Sequence, residues 1–343
     1  MPLNRRQFLT TASAALAATT LDPRTLLAQA AGQAPPETAF KLLRRGVGIF
    51  TGQGGTIGWF VDREGALVID SQFPATAKIC LEGLQQRMQA SGTGVSPVKQ
   101  AQGGTGVSPV KQAQGGTGVS PASGRLIDFL VNTHHHGDHV AGNGVFQPAV
   151  RKILAHVNVP KLQREASERR GPGAPGPSTA PVVANATFDK AWHEEIGREE
   201  MEARYYGPAH TSGDAVVILE KANVVHMGDL VFNRMHPFID RPAGASIASW
   251  ITLLDRVPAD MQRDTTYIFG HGNPKFGVTG TSADLKYMRD YLAALLDFVQ
   301  AEMKRGQPRD AIVRITDPLK GFADHGPLVE RTLGPAYDEL AGS

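Results

Sequence analysis

The chain has 343 residues, of which 41% are hydrophobic and 20% charged, a balance typical of a globular protein. Its 35 basic and 33 acidic residues leave a formal charge of +2, which lacks the electrostatic footprint of a nucleic-acid-binding protein. Cys80 is the only cysteine, which argues against an internal disulfide and a cysteine-rich zinc site. A metal site in this chain would therefore use histidine and carboxylate ligands.

The first thirty residues have the pattern of an export signal. The pair Arg5-Arg6 precedes a mildly apolar run over residues 9–21, and Ala28-Gln29-Ala30 offers a small-residue cleavage site. The pair resembles a twin-arginine signal, and the apolar run is too short for a stable membrane span. We predict a signal peptide over 1–30, a linker over 31–38 and a periplasmic or exported protein. An uncleaved amphipathic N-terminus is the alternative.

Strands and then a helix are expected after the linker. Alternating or continuous apolar residues predict strands over residues 42–50, 56–61 and 65–70. The last of these ends on Asp70. A helix is predicted to begin at Pro74 and to run to about Ala90, with Ile79, Leu84 and Met88 on its apolar face.

A repeat of twelve residues follows this helix. The segment that begins at Gly92 recurs from Gly104 and starts a third time at Gly116. The repeat is rich in Gly, Ser, Gln and Pro and has no apolar face to bury, so a solenoid is not expected. We predict that residues 91–124 are a flexible insertion in a surface loop, where added length costs little. A functional binding segment is the alternative.

Strands and helices alternate through the rest of the chain, which predicts a layered α/β fold. The predicted strands cover residues 126–132, 150–155, 201–206, 215–219, 224–227 and 267–269. The predicted helices cover residues 157–169, 245–257 and 282–304, with a Pro- and Gly-rich loop over 171–181 and a helical C-terminal region of about forty residues.

Four histidines and an aspartate occur within six residues, directly after a buried strand. In an extended loop, His134 and His136 point the same way, because side chains alternate. Asp138 and His139 turn to the other side and can serve a second ion. Zinc accepts nitrogen and oxygen ligands at roughly 2.0–2.2 Å, so one short segment can supply two ions. A histidine-rich surface patch is the alternative interpretation.

Three further candidates lie far along the chain, each beside glycine near the end of a predicted strand. They are His210, Asp229 and His271. Each alone is a weak signal, because a single histidine is more often packed or at the surface. Their common position beside strand ends strengthens the hypothesis of one shared site.

Taken together, this pattern resembles the metallo-β-lactamase fold superfamily over roughly residues 40–275. The resemblance implies a four-layer αββα sandwich over residues 39–343 with a C-terminal helical extension. It implies two metal sites, the first held by His134, His136 and His210, the second by Asp138, His139 and His271, with Asp229 as the bridge and Asp70 orienting the ligands.

One difference from the zinc β-lactamases restricts which branch of the superfamily the chain resembles. The best-known subclass of zinc β-lactamases has a cysteine where Asp229 stands, and Cys80 lies far away in the sequence. An aspartate bridge instead resembles the glyoxalase II and lactonase branches. The long C-terminal substrate-binding region of true glyoxalase II is not evident.

The resemblance implies a binuclear zinc hydrolase. Two ions about 3.5–4 Å apart share a hydroxide that attacks the carbonyl carbon of a small ester, thioester, lactone or β-lactam. Asp138 is the candidate catalytic residue, because it can orient this hydroxide as well as ligate. Two alternatives stay open: an iron-dependent redox enzyme similar to persulfide dioxygenases, and a degenerate metal-binding protein without activity. The export signal and the near-neutral charge argue against a nuclease.

Residues that follow the bridging acid are candidates for substrate contact. Arg234 is expected to pair with a substrate carboxylate, with Asn233 beside it, and a solvated surface charge is the alternative. Four aromatic residues are candidates either for apolar walls of the cleft or for the core, namely Trp59, Phe60, Phe73 and Phe238. The expected partner is a small-molecule substrate. The oligomeric state stays open.

Overall fold

The computed structural model describes residues 37–92, 125–169 and 180–342. The predicted signal peptide, most of the predicted linker and nearly all of the 12-residue repeat lie outside these ranges, so their assignments stay predictions. Among the described helices, none is both long and apolar enough to cross a bilayer.

Seven strands form the first sheet, in the order of the sequence. Strands β1 to β4 pair antiparallel, and β4 to β7 pair parallel. They are β1 (Ala39–Arg44), β2 (Val47–Thr51), β3 (Ile57–Val61), β4 (Ala66–Ile69), β5 (Ile127–Asn132), β6 (Val150–His156) and β7 (Ala186–Phe188). The strand predicted over residues 42–50 is in fact two strands. Arg45 and Gly46 both adopt positive φ and turn the chain between them.

Six strands form the second sheet, in the order β15-β13-β11-β10-β9-β8, and β12 and β14 make a small parallel pair. The eight strands of this sheet and this pair are β8 (Ala191–Ile196), β9 (Glu199–Tyr205), β10 (Ala215–Leu219), β11 (Val224–His226), β12 (Phe232–Asn233), β13 (Thr266–Ile268), β14 (His271–Gly272) and β15 (Thr279–Gly280). The edge strands β7 and β8 were not predicted. One is three residues long, and the other is polar and partly exposed.

Eight α-helices are present in the described residues, and the predicted long ones are among them. They are α1 (Pro74–Gly92), α2 (Gly137–Val140), α3 (Asn143–Phe146), α4 (Val159–Arg169), α5 (Ile247–Ala259), α6 (Ser282–Lys304), α7 (Arg309–Ile312) and α8 (Glu330–Ala341). The capping box of Thr281 and Asp284 fixes the start of α6 at the predicted residue.

Three hydrophobic cores separate four layers. One core lies between α1 and the first sheet, and includes Cys80 and Leu84 of the helix. A second joins the inner faces of the two sheets, where Leu67 and Val217 are buried. The third packs α5, α6 and α8 on the outer face of the second sheet, around Trp250. The predicted αββα sandwich is confirmed. The helix-face prediction was wrong at Ile79, which is 37% exposed, because Cys80 and Leu84 supply the buried face instead.

Candidate metal centre

The predicted ligands lie where strands end at one edge of the sandwich. His134 and His136 follow β5, and the extended backbone of His136 begins α2, which holds Asp138 and His139. This change from extended chain to helix separates the two pairs of side chains. The other ligands come from three separate segments: His210 from the loop between β9 and β10, Asp229 from a 3₁₀ turn over Gly228–Leu230, and His271 from the start of β14.

The structure brings the first predicted set together. Nδ1 of His136 lies 3.1 Å from Nε2 of His134 and 2.9 Å from Nε2 of His210. Three ring nitrogens thus converge on one point. With an oxygen of Asp229 they form a group of ligand atoms that all lie within 4.8 Å of one another.

The second predicted set converges beside the first. Nε2 of His139 lies 3.3 Å from Nε2 of His271 and 3.7 Å from Oδ2 of Asp138. Oδ2 of Asp138 is 3.0 Å from the same nitrogen of His271. This set therefore combines two imidazoles with one carboxylate.

Asp229 lies between the two sets and turns one oxygen to each. Its Oδ2 is 3.8 Å from Nε2 of His134 and 3.5 Å from Nε2 of His210. Its Oδ1 is 3.1 Å from Nε2 of His139 and 3.5 Å from Nε2 of His271. This is the placement that a bridging carboxylate requires. The structure thus gathers all seven predicted ligands into one site.

The outward nitrogens of four of these histidines face oxygen atoms, which fixes the ring orientations. Nδ1 of His210 donates to the backbone oxygen of Phe238 at 2.7 Å, and Nδ1 of His134 is 3.1 Å from the hydroxyl of Thr133. That hydroxyl donates to Asp70 at 2.8 Å, so it is free to accept from His134. Each ring therefore directs an unprotonated nitrogen into the site.

Carboxylates orient the remaining two rings. Nδ1 of His139 lies 2.8 Å from Asp70, and Nε2 of His136 lies 2.9 Å from Asp240. Asp70 is fully buried, adopts a left-handed backbone at the end of β4, and also accepts from the backbone N–H of Thr133. The structure thus places Asp70 in the predicted orienting position. A carboxylate behind a ligating histidine is the usual support of a metal site.

Asp240 is a contact that sequence reasoning missed. It lies 104 residues from His136, in the loop between β12 and α5, and also lies 3.5 Å from Nε2 of His135. His135, His136 and Asp240 form a third compact group of possible ligand atoms. The 2.9 Å contact engages the outward nitrogen of His136, which favours an orienting hydrogen bond over another ion.

This donor set fits divalent metal ions. Nitrogens of three rings lie around one point, with Nδ1 of His136 3.1 and 2.9 Å from the other two, as the ligands of a single cation do. Oδ1 of Asp229 is buried and has no hydrogen-bond partner. A cation between the rings would satisfy both the nitrogens and this oxygen.

Protonation differs between the two sets. Burial, followed by the charge of His136, lowers the pKa of His210 to about 3, so this ring is neutral. Burial also opposes the charged form of His271, but Asp229 and Asp138 outweigh it and raise its pKa to about 9. Burial raises the pKa of Asp229, yet His139 and His271 hold it well below its ordinary value. Metal binding at the second set would therefore displace protons.

Glycines allow two backbone segments to approach the ligands. A Cβ at Gly55 would overlap the ring of His139, and one at Gly270 would overlap Oδ1 of Asp229. The segments are joined through Thr56, whose N–H donates to the oxygen of Gly270 at 2.9 Å, while the N–H of Gly55 donates to that of Asp138 at 3.0 Å. Gly55 was not among the predicted site residues.

Solvent reaches the cluster through three of its seven side chains. His136, Asp138 and His271 expose 18%, 30% and 23% of their side chains, whereas the other four predicted ligands are nearly inaccessible. Phe238 flanks this opening, with its ring centroid 5.3 Å from that of His136. Of the four aromatic candidates, Trp59 and Phe60 belong to the core.

The predicted substrate contacts already have partners within the protein. The guanidinium of Arg234 pairs with the carboxylate of Asp284 and lies 4.1 Å over the ring of Tyr287. Asn233 is buried, and its amide donates to the backbone oxygen of Gly277 at 2.8 Å. The structure therefore gives Arg234 an internal carboxylate in place of the predicted substrate carboxylate.

Solved structures share this fold, and a family model matches the part of the chain that holds the predicted ligands. Residues 122–272 match the family model of the Metallo-beta-lactamase superfamily. A metallo-β-lactamase from Pontibacter korlensis aligns with a TM-score of 0.52 and 17% identity, over 75% of this chain and 99% of that chain. The metallo-β-lactamase DIM-1 aligns with a TM-score of 0.53 and 16% identity, over 76% and 99%. The chain thus has the metallo-β-lactamase fold, and the segment that matches the superfamily model holds all seven predicted ligands.

Proposed function

We propose that this protein is a binuclear zinc hydrolase that cleaves a small carbonyl substrate, an ester, thioester, lactone or β-lactam. One observation carries the proposal. Two sets of three ligands lie side by side, and Asp229 turns one oxygen to each. An aspartate at this position is the feature that resembles the glyoxalase II and lactonase branches.

Divalent ions, when bound, supply Lewis acidity that polarises a carbonyl group and makes water acidic near neutral pH. His134, His136, His210 and Asp229 would hold one ion, and Asp138, His139, His271 and Asp229 the other. The described donor set has nitrogen and oxygen atoms only, which suits zinc and also iron.

The protein's own residues supply orientation and access. Asp138 is the most exposed carboxylate of the cluster, so its oxygen can accept a hydrogen bond from the attacking water and direct the water's lone pair toward the carbonyl carbon. Asp70 and Asp240 keep His139 and His136 from rotating. The nearly inaccessible side chains of His134, His139 and His210 confine the reaction to the open side.

The test is metal analysis together with a substrate panel. We expect about two zinc ions per chain and hydrolysis within a panel of nitrocefin, lactones and thioesters. His136→Ala should abolish hydrolysis and bind less zinc, because it removes a ligand from the first set and leaves the other imidazoles without their partner.

The control is His193→Ala, which removes an exposed histidine of β8 outside the cluster. This control should retain both metal and activity. Full activity with stoichiometric zinc in His136→Ala would contradict the proposal, and iron as the metal that restores activity would favour the redox alternative.

A further inference from the structure

The side of the cluster that a substrate can reach carries an exposed aromatic ring. Phe238 is 44% exposed, and its ring lies 5.3 Å from His136 and 6.3 Å from His210, centroid to centroid. The other exposed large hydrophobic residues of the described chain are aliphatic. They are Leu42, Ile79, Leu126 and Val157.

The backbone at Phe238 is held in place. The carbonyl of Phe238 accepts the hydrogen bond of His210 at 2.7 Å, and the residues on either side, Pro237 and Ile239, are buried. An exposed aromatic ring beside a reaction site gains free energy when an apolar group of a ligand covers it.

Positively charged side chains that follow two of the predicted ligands in the chain are paired with carboxylates. In the segments that follow Asp229 and His271, each of three cations has a carboxylate partner. The pairs are Arg234 with Asp284, Arg241 with Glu339 at 3.2 Å, and Lys275 with Asp324 at 3.9 Å. A substrate carboxylate that displaced one of these partners would leave an acid unpaired, and the partly buried Arg234 pair would be the most costly to break.

We propose that the substrate is a neutral carbonyl compound whose aromatic or aliphatic group packs on Phe238, and that the enzyme does not select for a substrate carboxylate. This inference rests on the proposed hydrolysis and names its substrate class. Phe238 is a specificity-determining residue: it holds the group next to the carbonyl and takes no part in proton transfer.

The experiment uses the zinc-loaded full chain and p-nitrophenyl esters, which share one leaving group. We expect kcat/KM for the phenylacetate ester to exceed that for the acetate ester by about tenfold, the scale of apolar discrimination. Phe238→Ala should bring the ratio of the two kcat/KM values close to one. Leu42→Ala, which removes an exposed apolar side chain on β1, should keep the preference.

A second pair of esters tests charge. The hemisuccinate ester carries a carboxylate, and its methyl ester is the neutral match. We expect the neutral compound to react at least as fast. Faster hydrolysis of the hemisuccinate, or a phenylacetate preference that survives in Phe238→Ala, would overturn the proposal.

Binding separates this proposal from the proposed function. Benzylacetone is a neutral ketone with an aromatic group and no leaving group, so calorimetry can follow its binding whether or not any ester is hydrolysed. We expect about tenfold weaker binding to Phe238→Ala than to the parent protein. Equal affinities would refute the role of Phe238 even in an active enzyme. Absence of hydrolysis with a normal Phe238 effect on binding would refute the hydrolase alone.

Discussion

In the described part of the chain, buried histidines lie in two groups, and one of these has the form of a metal site. At the metal centre, ring nitrogens converge at 2.9 to 3.3 Å and carboxylates lie among them. In the C-terminal region, His325 stacks on Tyr291 with centroids 4.0 Å apart and planes 8° apart, and neither of its nitrogens has a partner. Its neighbour His236 bonds to Tyr291 and to the carbonyl of Pro327. Convergent nitrogens with carboxylates, and not burial or histidine density, distinguish the metal centre.

The largest expected effect concerns the carboxylates behind the rings. Asp70→Ala should weaken zinc binding by about 10–100-fold, the usual effect of losing such a support. Asp240→Ala should cost less, because Asp240 contacts only His136 and His135 across the site, whereas the fully buried Asp70 holds His139 and two groups of Thr133. Competition of each variant with a chromogenic chelator would measure both zinc affinities.

Loss of each carboxylate should affect a different ion. Asp240→Ala should weaken chiefly the ion of the first set, because His136 belongs to that set, and Asp70→Ala chiefly the ion of the second, because it holds His139. If both variants kept two zinc ions at parent affinity, convergence of the ligands alone would suffice and the orienting role would be wrong.

A smaller effect is expected where a backbone segment touches the second set. Gly55→Ala would place a methyl group against the ring of His139, so the ring or the segment must shift. We expect a loss of about tenfold or more in zinc affinity or kcat, since a misplacement of about 1 Å can cost as much as 10²-fold. Gly144→Ala is the control, because its Cβ would only make ordinary contact with Val182. Equal behaviour of the two variants would contradict the close-approach argument.

The sequence identified the metal centre because its signals are local. His134 to His139 follow an apolar strand, and the distant ligands each stand beside glycine at a turn near a strand end. The chain-order pattern of strands and helices also predicted the layers. His236 and His325 are not among the predicted ligands, and the structure places both among aromatic rings.

Contacts between distant segments could not be predicted in this way. Asp240 meets His136 across 104 residues, and nothing in its own neighbours distinguishes it from a surface acid. Arg234 was expected to pair with a substrate carboxylate. Its guanidinium instead pairs with Asp284, which lies fifty residues later at the start of α6. The edge strands β7 and β8 were missed because a short or polar strand has little hydrophobic periodicity.

The smallest effect is expected at His325 and the aromatic rings around it, and it appears when the pH is lowered. Burial, together with the charges of His236 and Arg234, lowers the pKa of His325 to about 3, whereas an unfolded histidine titrates near 6.5. Below pH 6.5 the unfolded chain binds a proton that the folded chain does not, so the free energy of unfolding falls as the pH falls.

His325→Phe removes this titration and keeps a ring between Tyr287 and Tyr291, and no hydrogen bond is lost because neither nitrogen has a partner. At each pH, the free energy of unfolding of the variant is compared with that of the parent. We expect this difference to favour the variant by about 1–2 kcal/mol more at pH 5 than at pH 8. Urea unfolding at the two pH values measures this. The metal ligands are common to both proteins, so their titration cancels in the difference. An equal difference at both pH values would mean that water reaches His325. The group of His236 and His325 would then be more hydrated than the metal centre.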